Sequence, residues 1–277
     1  MTEIVDSHVH LWDPAVLEYP WLAGLPELRR PFLADALVAA VGEAPVRRVV
    51  FVEANARPDQ ALEEADFAAR PEMVAGIVAY AALDDPDSLP ARLDALGARL
   101  KVKGVRHNIQ GNAPGFALRP AFVDGVREVG RRGLSFDLCA THDQLPEVAE
   151  LCRRCPETPL VLDHCGKPPI ASGGLERWAS AIADIASLPH VVCKLSGLLT
   201  EAAPDWSEAD LLPYAERVVE SFGHGRVMYG SDWPVLTLAG DYGAWYRFTR
   251  RLTGGWSEAD TRAFYHDVAA SFYRLPA

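Results

Sequence analysis

The stretch "IVDSHVHLWDP" at residues 4–14 decides between two α/β folds, an open, doubly wound sheet and a closed (β/α)8 barrel. Its apolar residues predict a β-strand, and that strand ends in His8 and His10. An open, doubly wound sheet that binds a nucleotide favours a glycine-rich phosphate loop after its first strand. No such loop follows His10. The stretch therefore favours a (β/α)8 barrel.

Seven further β-rich segments follow this one, and segments of helical character lie between them. One helical segment, residues 207–223, begins at Ser207 as a predicted N-cap and ends at Gly223. Eight strands that alternate with helices in 277 residues predict a single domain over residues 1–277, a (β/α)8 TIM barrel of the α/β class. The predicted strands are "IVDSHVH" (4–10), "VRRVVFVEAN" (46–55), "MVAGIVAYAAL" (73–83), "VKGVRHNIQ" (102–110), "LSFDLCATH" (134–142), "PLVLDHCG" (159–166), "VVCKLSGL" (191–198) and "RVMYGSDWP" (226–234).

Polar side chains stand at the end of most of the predicted strands. In a (β/α)8 barrel the carboxyl ends of all strands share one face, and active sites lie on that face. We therefore expect these separate segments to build one site. The polar residues are His8, His10, Glu53, Asn55, Arg106, His107, His142, Asp163, His164, Lys194, Ser196 and Asp232.

The composition is that of a globular protein with a small-molecule partner. Hydrophobic residues make up 49% and charged residues 23% of the chain, which argues against disorder. The formal net charge of -11 disfavours binding to nucleic acid or to anionic membranes. No stretch reaches the roughly 18 to 20 apolar residues that a membrane-spanning helix needs. The oligomeric state stays open.

The five cysteines predict a reduced protein. Their number is odd, they are scattered, and residues 1–9 lack the features of a secretory signal. We therefore expect a cytoplasmic location without disulfides. The segment "CRRC" (152–155) has the spacing of redox and zinc motifs, but it lies in a helix-like stretch without a second CxxC.

The alternation of side chains along a strand predicts that Asp6, His8 and His10 point to one face. Their imidazoles would then lie roughly 6 to 7 Å apart at the backbone and could converge on one metal ion. Asp232 could complete the set, because the first and eighth strands of a closed barrel are neighbours. His164 and His142 could supply further nitrogen. The alternative is that both histidines only hydrogen-bond the loops above the barrel.

Seven motifs, spread over nearly the whole chain, carry a family resemblance. Together they resemble the amidohydrolase superfamily and, within it, the amidohydrolase 2 branch of sugar-lactone lactonases, of which L-fuconolactonase and L-rhamnonolactonase are typical. The motifs are "DSHVHLWDP" (6–14), "VFVEAN" (50–55), "KGVRHNIQG" (103–111), "FDLCATHDQLP" (136–146), "VLDHCGKP" (161–168), "CKLSGLLTEA" (193–202) and "YGSDWP" (229–234).

The resemblance implies a distorted barrel and hydrolysis of a sugar lactone in carbohydrate catabolism. His8, His10 and Asp232 match the superfamily's metal and base positions, and His164 matches its strand-six histidine. Binuclear relatives use a bridging Lys or Glu on strand four, where this chain has Arg106. The resemblance thus implies one divalent ion, such as zinc, rather than two, and it includes relatives that work without a metal.

For such a reaction Asp232 is the predicted general base towards water and then the acid towards the ring oxygen. Without a metal, the carbonyl would have to be polarised by His164, Arg106 and His107. Tryptophan faces suit the C–H surface of a sugar, although ordinary packing is expected for Trp21. The predicted substrate-binding residues are Glu53, Trp12, Lys167, Trp233 and His142, with a role for Glu53 in orienting its neighbours as the alternative.

Two other functions suit the same predicted barrel. One is a zinc-dependent decarboxylase or amide hydrolase of the same superfamily, and the other is a barrel that binds a ligand without catalysis. The motif "GVRHNIQ" (104–110) favours the lactonase. The unbroken series of polar strand ends disfavours an inactive barrel.

Overall fold

Eight parallel strands form a barrel in the order in which they occur along the chain. The structure is a computed structural model that describes residues 2–276. Each strand pairs in parallel with the next, so the predicted (β/α)8 barrel is confirmed. The strands are β1 Ile4–Val9, β2 Val46–Val52, β3 Val74–Tyr80, β4 Val102–Arg106, β5 Ser135–Leu138, β6 Leu160–Leu162, β7 Val191–Leu195 and β8 Val227–Tyr229.

Helices follow the strands and cover the outside of the barrel. The longest, α8, begins after Ser207, whose side chain forms a capping box with Asp210, and it ends at Gly223, as predicted. A π-helical turn at Ala263–Asp267 joins the last two helices. The helices are α1 Ala34–Val41, α2 Ala61–Ala68, α3 Leu89–Gly97, α4 Pro120–Arg131, α5 Leu145–Arg154, α6 Leu175–Ala186, α7 Leu198–Glu201, α8 Glu208–Phe222, α9 Tyr242–Leu252, α10 Glu258–Arg262 and α11 Val268–Phe272.

The first and last strands meet through the segment that follows β8. The amide of Asp232 donates to the carbonyl of His8 at 2.8 Å, and the amide of His10 donates to the carbonyl of Trp233 at 2.7 Å. The hydroxyl of Ser7 donates to the carbonyl of Tyr229 at 2.6 Å. These bonds close the barrel and bring Asp232 beside both histidines of β1.

The strand β1 does not keep the regular alternation predicted for it. Its pairing with β2 shifts register between Asp6 and Val9, as at a β-bulge. Val5 consequently packs in the barrel interior, while the carboxyl group of Asp6 points to the helical layer and accepts from the hydroxyl of Tyr242 at 2.8 Å. The prediction that Asp6 shares a face with His8 and His10 is therefore wrong.

An apolar layer and the C-terminal segment fill the lower part of the barrel. Val5, Val50 and Val78, from three successive strands, pack in one cluster with Tyr273. A second and larger cluster lies between the strands and the helices. The polar residues of the barrel interior stand above the apolar layer, towards the carboxyl ends of the strands.

Among the described residues, no helix combines the length and the apolar character needed to cross a membrane.

Candidate active site

A small cavity opens at the carboxyl ends of the strands. Its volume is about 150 Å³, below the range of roughly 300 to 1,000 Å³ that is typical of sites for drug-sized ligands. It therefore suits a ligand of about one ring. It is lined by His10, Trp21, Ala54, Asn55, Arg106, Asn108, Gln110, Cys139, His164, Lys167, Asp232 and Val235.

Three imidazoles surround one carboxylate oxygen at the base of this cavity. Oδ1 of Asp232 lies 3.3 Å from Nε2 of His10, 3.8 Å from Nε2 of His8 and 4.0 Å from Nε2 of His164. All four side chains are buried. The barrel thus brings together residues from β1, from the end of β6 and from the segment after β8.

Each imidazole has a partner for its other nitrogen. Nδ1 of His10 lies 2.7 Å from the carbonyl oxygen of Val52, so this nitrogen carries the proton and donates it. Nδ1 of His164 lies 2.9 Å from the hydroxyl of Ser196, and Nδ1 of His8 lies 3.2 Å from the Lys194 ammonium and 3.4 Å from Oδ1 of Asp163. These partners orient the rings, and the proton on Nδ1 leaves the Nε2 lone pair of His10 directed at the space beside Asp232.

Unusual backbone conformations hold two of these residues in place. His164 has φ +51° within the short helical segment Asp163–Gly166, and Asp232 has φ +63°. Such left-handed conformations are rare for residues other than glycine and concentrate at functional sites. Gly197 makes room for the His164 ring, because a Cβ at Gly197 would lie 2.7 Å from its Nδ1.

Burial and neighbouring charges set the protonation states of the cluster. Burial lowers the pKa of His164 to about 4, and burial together with the Lys194 ammonium lowers the pKa of His8 well below its usual value. Both rings are neutral at pH 7. Burial opposes ionisation of Asp232, but the imidazoles of His164, His10 and His8 outweigh it and hold the pKa of this carboxyl below its usual range.

Arg106, at the end of β4, is held in a buried ion-pair network. Its Nε donates to Oε1 of Glu53 at 2.6 Å, one terminal nitrogen donates to the carbonyl of Glu53 at 2.6 Å, and the other lies 3.3 Å from Oδ2 of Asp163. Burial opposes its charge, but the two carboxylates outweigh this cost and raise the pKa of Arg106. The guanidinium therefore stays charged with a fixed orientation.

Lys194 lies beneath the imidazoles, inside the barrel. Its ammonium is 2.5 Å from Oδ2 of Asp137, 3.0 Å from Oδ1 of Asp163 and 3.2 Å from Nδ1 of His8. The two carboxylates outweigh the cost of burial and raise the pKa of Lys194. The sequence pattern placed Lys194 and Asp163 among the polar strand ends but did not select Asp137, although a charged residue on an otherwise apolar strand is a usable signal.

The donors around Asp232 fit one divalent metal ion. Ligand atoms bound to tetrahedral zinc at about 2.0–2.2 Å lie about 3.3–3.6 Å apart, close to the spacing of the His10 and His8 nitrogens from Asp232 Oδ1. Two nitrogens and one carboxylate oxygen are a typical zinc donor set. The buried cluster also holds four carboxylates against two cations, so an added cation is electrostatically favoured.

Comparison with known proteins gives the family. The model of the amidohydrolase family matches residues 5–275. This chain belongs to the amidohydrolase family. It is 34% identical to the L-fucono-1,5-lactonase of Burkholderia ambifaria over 99% of this chain and 97% of that protein, and 34% identical to the L-fucono-1,5-lactonase of Burkholderia multivorans over 98% and 96%. A solved structure of an amidohydrolase from Burkholderia multivorans with bound zinc covers 99% of this chain and 100% of its own, with a TM-score of 0.90 and 34% identity.

Three residues predicted for the site of this amidohydrolase line its cavity together with His10 and Asp232, while His8 is buried behind the lining. Arg106, His164 and Lys167 do so, and Nζ of Lys167 lies 3.8 Å from Oε1 of Glu201. Glu53 is buried beside the cavity, where it holds Arg106 and accepts from the amide of Asn55 at 2.7 Å. Of its two predicted roles, this placement suits the orientation of its neighbours.

His107 does not reach the cavity of the amidohydrolase. Successive residues of a strand point to opposite sides, and because Arg106 points inward, His107 points outward. Its Nδ1 accepts from the amide of Leu83 at 3.1 Å, and its ring packs against Tyr80 and Phe116. The geometry therefore gives no support to the prediction that His107 polarises a carbonyl.

His142 and two tryptophans predicted to contact the substrate also lie elsewhere. Nδ1 of His142 is 3.2 Å from the carbonyl oxygen of Lys167, on a neighbouring surface cleft. Trp12 is completely buried and donates to two carbonyls of the first loop, and Trp233 packs edge-on against Phe32. These side chains support the walls of the site from behind.

Trp21 is the tryptophan that lines the cavity. Its Nε1 donates to the carbonyl of Ala54 at 2.7 Å, which holds the indole at the mouth. Ordinary packing was the expectation for this residue. The loop after β1 carries Trp12 inward and Trp21 over the mouth, and the path of a loop cannot be read from residue type.

Proposed function

We propose that this amidohydrolase hydrolyses the lactone ring of a single-ring aldonolactone to the hydroxy acid, as a step of carbohydrate catabolism in the cytoplasm. The observation that carries the proposal is a carboxylate, Asp232, surrounded by imidazoles in a cavity of about 150 Å³. The names of the L-fucono-1,5-lactonases that resemble the whole chain give the substrate class. The five free cysteines suit a reducing compartment.

Asp232 takes the proton of the attacking water in this proposal. Its carboxyl is ionised at neutral pH, because the imidazoles around it outweigh the cost of burial. As the water oxygen bonds to the lactone carbonyl carbon, its proton passes to Asp232. The carbonyl oxygen gains negative charge, which the nearby guanidinium of Arg106 and a protonated nitrogen of His164 are placed to stabilise at the cavity wall.

The ring then opens as the bond between the carbonyl carbon and the ring oxygen breaks. The leaving oxygen takes the proton from Asp232 and becomes a hydroxyl group, while the carbonyl carbon keeps the added oxygen as part of a carboxylic acid. At neutral pH this acid releases the second proton of the water molecule to the solvent and becomes a carboxylate. Asp232 thereby returns to its ionised state. No further proton source is needed for the reaction to balance.

His8, His10 and Asp232 would hold a divalent ion such as zinc. A bound ion supplies Lewis acidity, which lowers the pKa of a water molecule and polarises a carbonyl. The partners Val52 and Asp163 keep the two imidazoles oriented whether or not a metal is present.

A panel of aldono-1,4- and 1,5-lactones tests the proposal, with proton release in weak buffer as the signal. We expect turnover of at least one lactone by the purified protein. The same assay after chelator treatment, and again after added zinc, tells whether the metal is required. Turnover of aromatic acids or amides with no turnover of any lactone would contradict the proposal.

A further inference from the structure

The polar groups of the cavity divide into two sets. The charged and titratable side chains are already engaged, since Arg106 is paired with Glu53 and Asp163, and Lys167 faces Glu201. The other polar side chains in the lining are carboxamides and one buried thiol. The carboxamides belong to Asn55, Asn108 and Gln110.

Backbone hydrogen bonds hold two of these residues, Asn55 and Gln110, in place. The amide of Asn55 donates to Oε2 of Glu53 at 2.7 Å, and Asn55 has φ +55°. The amide of Gln110 donates to the carbonyl of Cys139 at 3.0 Å. Asn55 and Gln110 lie in the loops that follow β2 and β4, and these backbone hydrogen bonds fix the loops to the barrel.

All three carboxamides keep free hydrogen-bonding capacity at the cavity, and Oδ1 of Asn108 is buried without a partner among the described residues. Nδ2 of Asn108 donates to Oδ1 of Asn55 at 2.6 Å, which fixes the plane of the Asn55 amide and leaves its NH₂ group without a partner among the described residues. The side chain of Gln110 likewise makes no hydrogen bond within residues 2–276 and is half-buried in the lining. An uncharged carboxamide both donates and accepts hydrogen bonds, so it matches a hydroxyl group of a ligand, which does the same.

The geometry points to Asn55 and Gln110 as specificity-determining residues that bind the ring hydroxyls of the lactone. Asn108 positions the Asn55 amide, and the indole of Trp21 covers an apolar C–H face. The inference rests on the proposed lactonase function and names residues that recognise its substrate. Such hydrogen bonds discriminate strongly between a lactone and its analogue without one hydroxyl, because the missing hydroxyl leaves polar groups of the site unpaired.

A double-mutant cycle between side chain and substrate tests the inference. Gln110→Met and Asn55→Gly are compared with the wild type on one accepted aldonolactone and on its analogues that lack each ring hydroxyl in turn. Glycine tolerates the positive φ of residue 55, so this second variant keeps the backbone conformation. Glu72→Ala is the control, because Glu72 is exposed and lies outside the cavity lining.

We expect each variant to lower kcat/KM for the full lactone by about 10- to 100-fold, and by less than about threefold for the analogue that lacks the hydroxyl it binds. The control should change both substrates by less than about twofold. The same loss on every analogue would overturn the inference, because a merely structural role acts on all substrates alike. If the wild type turns over no lactone, the proposed function and the inference fail together, whereas wild-type turnover without coupling overturns only the inference.

Discussion

Asp232 shows how much of this site depends on the surroundings of one residue. Among the residues that the structure describes, only imidazoles bring a basic group within 4.0 Å of its carboxylate. Its backbone takes a left-handed conformation that directs the carboxylate at His10 and His8. An aspartate in water would carry the same charge. The surrounding imidazoles hold the Asp232 carboxylate at a defined point of a small cavity, where it can accept a proton and bind a metal ion.

Replacement of Asp232 by asparagine is expected to lower kcat by about 100- to 10,000-fold, because an amide neither takes a proton from water nor carries a ligand charge. The measurement is kcat on the best lactone of the panel, with circular dichroism to show that the variant folds. Asp205→Asn, at an exposed position, is the control and should keep kcat. A folded Asp232→Asn protein with near-wild-type kcat would contradict the assigned role.

At the scale of elements, two buried carboxyl groups hold the turn between β2 and α2. Oε1 of Glu64, on α2, accepts from the amide of Ala54 at 3.0 Å, and Glu53 accepts from the next amide. The carbonyl of Ala54 in turn holds Trp21. Burial, reinforced by the charge of Glu53, raises the pKa of Glu64 from 4.5 to about 8.

This shift predicts a pH dependence of the free energy of unfolding. The folded protein favours the neutral acid, so between pH 4.5 and about 8 it binds more protons than the unfolded chain. The contribution of Glu64 to the free energy of unfolding is therefore complete below pH 4.5 and is lost as the pH rises through about 8. Glu64→Gln mimics the neutral acid and should gain stability relative to the wild type, on the order of 1–4 kcal/mol, as the pH rises from 5 to about 9.

Thermal unfolding across this pH range measures the difference for Glu64→Gln. Glu63→Gln is the matched control, because its neighbouring carboxyl is exposed on the same helix and its variant should follow the wild type at every pH. A Glu64→Gln curve parallel to that of the wild type would show that the fold does not favour the neutral acid.

At the scale of the molecule, the C-terminal segment closes the barrel from the end opposite the cavity. Tyr273 is completely buried, and its hydroxyl donates to Oδ2 of Asp137 at 2.9 Å. The same carboxylate oxygen pairs with Lys194, which contacts His8. A continuous set of polar contacts therefore joins the last residues of the chain to the first strand.

Tyr273→Phe is expected to lower the free energy of unfolding by about 1–3 kcal/mol, because Asp137 then loses one of its buried donors while the ring packing is kept. Urea unfolding measures the change. Tyr246→Phe is the control, since the hydroxyl of Tyr246 makes no hydrogen bond within the described residues, and less than about 0.5 kcal/mol is expected there. Equal stability of Tyr273→Phe and the wild type would mean that this hydrogen bond contributes nothing net.

Local patterns in the sequence determined the eight strands, the cap at Ser207, and the placement of His8, His10, His164 and Asp232 at strand ends. Strand and helix periodicity depends on neighbouring residues, and the carboxyl ends of parallel strands must meet once the barrel closes. These features could therefore be predicted without coordinates, and the structure brings the three imidazoles within 4.0 Å of one Asp232 oxygen.

Only the tertiary structure decided which face each remaining side chain presents. A register shift between β1 and β2 turns Asp6 out of the barrel. Side-chain alternation after the inward-pointing Arg106 turns His107 away from the cavity. The path of the loop after β1 places Trp21, and not Trp12, at the cavity. The partners of Lys194 come from β5 and β6. Strand register, loop path and buried charge pairing all depend on contacts between residues far apart in the chain, which no local pattern specifies.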